Sequence, residues 1–206
     1  MVVCGKKQRQ CLPEELEVGD CWIALSLTQL NGLILAGRVG KHTDELVEEL
    51  VHSTYAKTNC KEWHTDGWRG YERVLPDQVD HYISKVLTQR LERTNGLLRQ
   101  QTGRWHRRQN KFAKVWEQTK ITLRLVISYF NWIWIHSRLG TTAAQRADLT
   151  SAPWTWQDIT VYSTLSWRTI KFTAWLPVWL TSPCFPPYCW QQNIIAVGKW
   201  KIPLMS

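Results

Sequence analysis

The stretch from Cys21 to Val39 constrains the fold of this chain more than any other. Cys21, Ile23, Leu25 and Leu27 alternate with Trp22, Ala24, Ser26 and Thr28, the period-2 signature of a strand. Asn31-Gly32 supplies the positive φ angles of a tight turn and Leu33 to Val39 returns, so the segment reads as a hairpin. A helix is expected next. Thr43 can cap it, Asp44 and Glu45 sit near its positive end, and Leu46, Val47, Leu50, Val51 and Tyr55 give it one apolar side. Lys61 to Thr65 reads as a short strand that Gly67 breaks, and a further strand is expected around Val79–Ile83. Hairpin, helix, strand and strand, followed by another helix, make an α/β layout.

That last helix carries chemistry. Glu92, Asn95 and Arg99 share one of its faces at i, i+3 and i+7. Asp66, just past a strand end with Gly67 following, is free to face a site instead of a core. Each acid alone has a plainer reading: Asp66 as a turn or cap residue, Glu92 as a solvated helix pair worth about 0.3–0.5 kcal/mol. Together, two carboxylates on different elements, one among arginines, suit divalent-metal phosphoryl transfer. Such sites hold two metals roughly 4 Å apart, steadying the attacking and leaving oxygens. Mg²⁺ takes one or two carboxylates plus waters and phosphate oxygens more readily than a full protein cage.

Charge supports an anionic partner. The net charge is +9, and its distribution is more telling than the total. Between Ser84 and Lys114 stand Lys85, Arg90, Arg93, Arg99, Arg104, Arg107, Arg108, Lys111 and Lys114 against one acid, Glu92. A solvated helix mixes both signs, so this crowding implies a phosphate-facing surface. Lys111 to Trp134 reads as a second long helix with a stripe of Phe112, Val115, Trp116, Leu123, Val126, Ile127 and Phe130, taken as a packing face. Trp105 reads as a buried anchor more readily than as a base-stacking platform.

Other classes are disfavoured. Gly37-Arg38-Val39-Gly40-Lys41 fails as a phosphate loop at positions 35 and 42. Cys60 and His64 are two ligands where a zinc site needs more. The six cysteines form no CxxC pair or disulfide-like framework, and no signal peptide opens the chain, so a reduced, cytoplasmic location is expected. No apolar run reaches the ~20 residues of a membrane span, and no membrane partner is expected.

The ordered motifs Thr65-Asp66-Gly67-Trp68, Tyr71-Glu72, His81 with Ser84-Lys85, and Thr88-Gln89-Arg90-Leu91-Glu92-Arg93-x-Asn95 resemble the catalytic domain of insertion-sequence-one transposases. The resemblance covers about residues 1–160 and is strongest from 60 to 138. It implies a DDE recombinase on an RNase H-like fold, with Asp66 as the second acid and Glu92 as the third. It further implies Mg²⁺ or Mn²⁺ bound by Asp66 and Glu92, and DNA strand cleavage and joining at transposon ends and target. Lys85, Arg90, Arg93, Asn95, Arg99, Arg104, Arg107 and Arg108 are the implied DNA contacts, and His81 is either a phosphate contact or a structural residue. Nucleoid association and room for a homo-oligomer go with that role. The alternatives are a basic DNA-binding remnant that does not cut, and another RNase H-like nuclease.

In the family the first acid lies on the first strand, before a Gly-Lys-Lys-like turn. Val2-Val3-Cys4 reads as the tail of that strand and Gly5-Lys6-Lys7 as the turn, which puts the acid upstream of Met1. The expectation is therefore an RNase H-like domain lacking part of its first strand, inactive as it stands. Residues 1–138 are expected to form this partial catalytic domain and 139–162 a carboxy-terminal trailer. Residues 163–206, rich in Trp and Pro and free of Asp and Glu, are read as a poorly specified tail that the domain can lose.

Overall fold

The computed structural model describes residues 11–12, 17, 19–105, 115–160 and 195–202. The readings of Val2 to Lys7, of Arg107, Arg108, Lys111, Phe112 and Lys114, and of 161–194 lie outside these described residues.

Strands β1 (Cys21–Thr28) and β2 (Ile34–Gly40) form the expected antiparallel hairpin, with Trp22 opposite Gly40 and Leu25 opposite Gly37. Its turn differs from expectation. Only Gly32, at φ +74°, adopts a left-handed conformation. Asn31 keeps an ordinary φ and uses its side chain instead, Oδ1 accepting the Leu33 N–H at 3.1 Å. The loop is consequently longer than a two-residue turn.

Helix α1 (Asp44–Tyr55) buries Leu46, Val47, Leu50 and Val51. Thr43 stands at its N-cap position in extended conformation but makes no side-chain cap bond, its hydroxyl donating to Glu45 Oε2 instead. Strand β3 (Glu62–Thr65), helix α2 (Gly70–Val74), strand β4 (Asp80–Ile83) and helix α3 (Lys85–Thr102) follow. Helix α4 (Trp116–Ser128) runs into a π-helical turn, Tyr129–Ile133. A short helix α5 (Ala143–Arg146) is closed by a capping box between Thr142 and Gln145.

A further strand, β5 (Ile195–Ile202), comes from the region read as a poorly specified tail. It takes the middle of the five-stranded sheet, whose order is β2-β1-β5-β3-β4. It pairs antiparallel with β1 along all eight residues and parallel with β3, while β3 and β4 are parallel. Without β5, the hairpin and the β3–β4 pair would not be joined by any strand.

The mixed sheet is covered on both faces. Ala24 of β1, Trp63 of β3 and Val197 of β5 face α1 and α2 in one core with Val47, Leu50 and Tyr71. Ile23, Leu25 and Leu27 point the other way, packing with Leu91, Leu98, Trp105, Trp116 and Leu123. Trp116, Leu123, Val126, Ile127 and Phe130 of the expected stripe do pack, but Val115 is exposed at the N-cap and α4 ends at Ser128, short of the Trp134 expected; Trp105 is fully buried. Asn131 anchors the π turn to β2: its amide accepts from Ile34 N at 2.9 Å and donates to Ile34 O at 2.8 Å. Among the described residues no helix is long and apolar enough to cross a membrane.

Candidate active site

Asp66 is the first residue after β3, at the carboxyl end of two parallel strands, where open α/β sheets leave a crevice for ligands. It is exposed, and its Oδ1 accepts the Trp68 N–H at 3.3 Å. Turn residue and site residue are therefore the same group. Glu92 reaches the crevice from α3. That helix is pinned by buried Leu91 and Leu98, so Thr88, Glu92 and Asn95 are directed toward one opening. The sequence-predicted acids meet here: Asp66, Glu92 and Asn95 line a pocket of about 80 Å³ with Thr88, Leu91 and the Val197-Gly198-Lys199 segment of β5.

Asn95 is buried, and its Oδ1 has no hydrogen-bond partner among the described residues. A buried amide oxygen without a donor costs about 1–3 kcal/mol, and a cation or donor entering the pocket would relieve it. Two carboxylates and an amide oxygen are all hard donors, which fits one Mg²⁺ or Mn²⁺. They do not complete a two-metal clamp. Among the described residues no three His, Cys, Asp or Glu side chains cluster, and outside them the only acids are Glu14 and Glu15.

The pocket also holds a cation of its own. Lys199 Nζ lies 2.9 Å from the Trp68 ring centroid and 5.3 Å from that of Tyr71, with no hydrogen-bond partner among the described residues. Burial pushes its ammonium down to about 8, against the opposing pull of Asp66 and Asp44. Burial, then Lys199, also lowers His42, whose ring meets Trp68 edge-on at 4.9 Å. Trp68 lies where it does because residue 70 is glycine: a Cβ there would fall 1.8 Å from Trp68 Cζ3. Sequence reasoning quoted Trp68 without a role and missed Lys199, which carries no local signal.

The basic residues divide. Arg93 is exposed on α3. Arg90 is half-buried and lowered by that burial, its guanidinium donating to the carbonyls of Gln29 and, at 3.0 Å, Leu30 in the hairpin loop. Arg99 donates from Nε to Asn95 O at 3.2 Å, and the Nε of the half-buried Arg104 has no partner among the described residues. Lys85 opens α3. His81 Nε2 is 2.6 Å from the Thr65 hydroxyl, which itself donates to Asp66 O at 2.9 Å, so the imidazole braces the strand end that carries Asp66. Burial lowers its pKa.

Fold and pocket together define a mixed α/β protein with paired carboxylates at the carboxyl end of its parallel strands. The family model described as IS1 transposase matches residues 2–132. The chain is 31% identical over 118 residues to Insertion element IS1 2 protein InsB of Escherichia coli (strain K12), spanning 57% of this chain and 70% of that protein. It is 32% identical over 114 residues to Insertion element IS1 protein InsB of Shigella sonnei, spanning 55% and 86%. The chain belongs to the IS1 transposase family, and with the family goes a role in transposition, a reaction on DNA. Strand β5 lies beyond the matched residues.

Proposed function

We propose that the chain acts in transposition through the Asp66–Glu92 pocket. The chemistry is metal-dependent DNA strand cleavage and joining on an RNase H-like domain, and the two-acid pocket described above binds DNA without cutting. One observation carries the reading. Two acids from separate elements line a single pocket beside an Asn95 oxygen that lacks a donor. The element order from β1 to α3 supports the RNase H-like assignment.

Asp66 and Glu92 would hold one divalent ion, which when bound supplies Lewis-acid activation of a phosphoryl oxygen. Asn95 would complete the oxygen donors and fix the Glu92 side of the site. Arg93 is the best-placed described arginine for a DNA phosphate, since Arg90 is already committed to backbone carbonyls. The ammonium of Lys199, which lines the same pocket, favours the binding of a DNA phosphate there.

Binding and cleavage are tested on the same protein. Electron paramagnetic resonance should find one Mn²⁺ per chain, weakened at least tenfold by Asp66→Ala or Glu92→Ala. DNA affinity should fall steeply with salt, with a log–log slope of −0.9 per phosphate for ~4–6 phosphates. Supercoiled plasmid should stay intact in Mg²⁺ or Mn²⁺. Nicking that disappears in Asp66→Ala would overturn the inactivity and keep the pocket. Metal binding indifferent to both substitutions would remove the pocket itself.

A further inference from the structure

We propose that the gap between β1 and β3 is a strand-acceptor site selective for the pattern apolar–apolar–Gly–Lys. The chain carries two segments that fit: Ala196-Val197-Gly198-Lys199, which fills the site here, and Val3-Cys4-Gly5-Lys6. This inference is independent of the cleavage chemistry.

The site follows from the sheet. An occupant is paired on both sides, from Cys21↔Ile202 to Thr28↔Ile195 against β1 and from Trp63↔Ile195 to Thr65↔Val197 against β3. An empty gap would expose rows of unpaired N–H and C=O groups on two inner strands at once, so a strand must be supplied. Addition of an extended segment to open edges is a known mode of recognition, with backbone bonds giving affinity and side-chain pockets giving selectivity.

The last three positions each select their residue. Val197 is fully buried beneath the Trp63 and Tyr71 core. At 198 a Cβ would come within 2.3 Å of Leu91 Cδ2, so helix α3 closes over a glycine. At 199 the side chain turns back to the first face and reaches the Trp68 ring and the Asp66 pocket. Val3-Cys4-Gly5-Lys6 presents the same order, with Cys4 a small apolar residue in the place of Val197; docked in this register, Gly5-Lys6 continues the strand instead of forming the turn read from sequence. Gly-Lys occurs once more, at Gly40-Lys41, but Arg38 precedes Val39 there and the segment already ends β2. The family match includes 3–6 and excludes 196–199, so the resident strand comes from outside the family region while a segment inside it carries the same pattern. One site and two fitting segments make occupancy exclusive: docking one releases the other.

Hydrogen exchange with mass spectrometry on full-length chains tests this. In the wild type, residues 195–202 should be protected. Gly198→Val should expose 195–202, slow exchange at 1–10 at least tenfold, and leave β1 protected. Gly5→Val alone should change nothing, and Gly198→Val with Gly5→Val should expose β1 itself. Adding Leu91→Ala to Gly198→Val should return protection to 195–202, since the clash is with Leu91. Loss of β1 protection in Gly198→Val without any gain at 1–10 would overturn the proposal. So would unchanged protection at 195–202.

Discussion

Replacing Gly70 by alanine isolates the contact that holds Trp68 over the pocket. Gly70 opens α2 at an ordinary negative φ, so alanine fits the backbone and should favour the helix by up to about 1 kcal/mol. The new Cβ, however, would stand 1.8 Å from Trp68 Cζ3 and 1.9 Å from Cη2, and the half-buried ring must leave. Leaving costs the edge contact with Tyr71, at 5.5 Å and 86°, about 0.5–1.5 kcal/mol. It also costs the Lys199 cation–π contact, about 0.5–1 kcal/mol. Re-exposing ~100 Å² of apolar surface adds about 2.5 kcal/mol at 25 cal/mol per Å². Partial relaxation and the helix gain leave a net loss of about 2 kcal/mol, or roughly 4–8 °C in Tm for a chain of this size. Urea denaturation of four proteins decides it: wild type, Gly70→Ala, Trp68→Ala and the double variant. In the Trp68→Ala background the clash is gone, and Gly70→Ala should become neutral or stabilising by up to about 1 kcal/mol. Equal cost in both backgrounds would refute the steric argument.

Lys57 donates from Nζ to Leu35 O at 2.7 Å, and burial, then Arg38, pushes its ammonium down to about 8. The unfolded chain binds that proton more strongly, so stability should be lost as pH falls through 8. Lys57 should contribute a rise of up to about 2 kcal/mol from pH 8 to 9.5 in chemical denaturation, and Lys57→Met should remove that share while the one from Lys199, likewise pushed down to about 8, remains. Tyr71, raised by burial, opposes only above its ordinary range near 10. Arg90→Ala should lower stability by about 1–2 kcal/mol and leave the salt slope of DNA binding unchanged. Arg93→Ala should do the reverse, reducing the slope by about 1 with stability within about 0.5 kcal/mol; equal slopes for the two would remove the distinction. Asn131→Leu strands the Ile34 N–H and C=O and should cost about 2–4 kcal/mol, so an unchanged urea midpoint would contradict the anchoring role.

Local pattern carried the hairpin, α1, the Asp66 strand end and the face shared by Glu92 and Asn95, because each is written in residues close in sequence. The turn at Asn31 was misjudged in detail: an Asn-Gly pair fits a two-residue turn, but a side-chain bond to Leu33 made a longer loop available. Arg90 shows what a charge count leaves out. Its guanidinium is engaged by loop carbonyls sixty residues away in sequence, a partner no helical spacing encodes. Strand β5 was illegible for a related reason. Ile195 to Ile202 alternates weakly, carries two lysines and a glycine, and sits in a Trp- and Pro-rich region; only the two open edges it bridges identify it as a strand. Lys199 was missed with it.

The middle strand of this sheet is also the last of the described strands to be made. About 110 residues separate Ile83, which ends β4, from Ile195, and a ribosome adding 5–20 residues per second needs roughly 5–20 s to bridge that interval. Throughout it, the hairpin and the β3–β4 pair emerge as separate two-stranded pieces, each marginal in water. Cys21 cannot meet Ile202 until nearly the whole chain has been translated. Closure by β5 therefore belongs to the slow, high-contact-order regime, and in a nascent chain halted before residue 195 both inner edges are open to the Val3-Cys4-Gly5-Lys6 segment already synthesised.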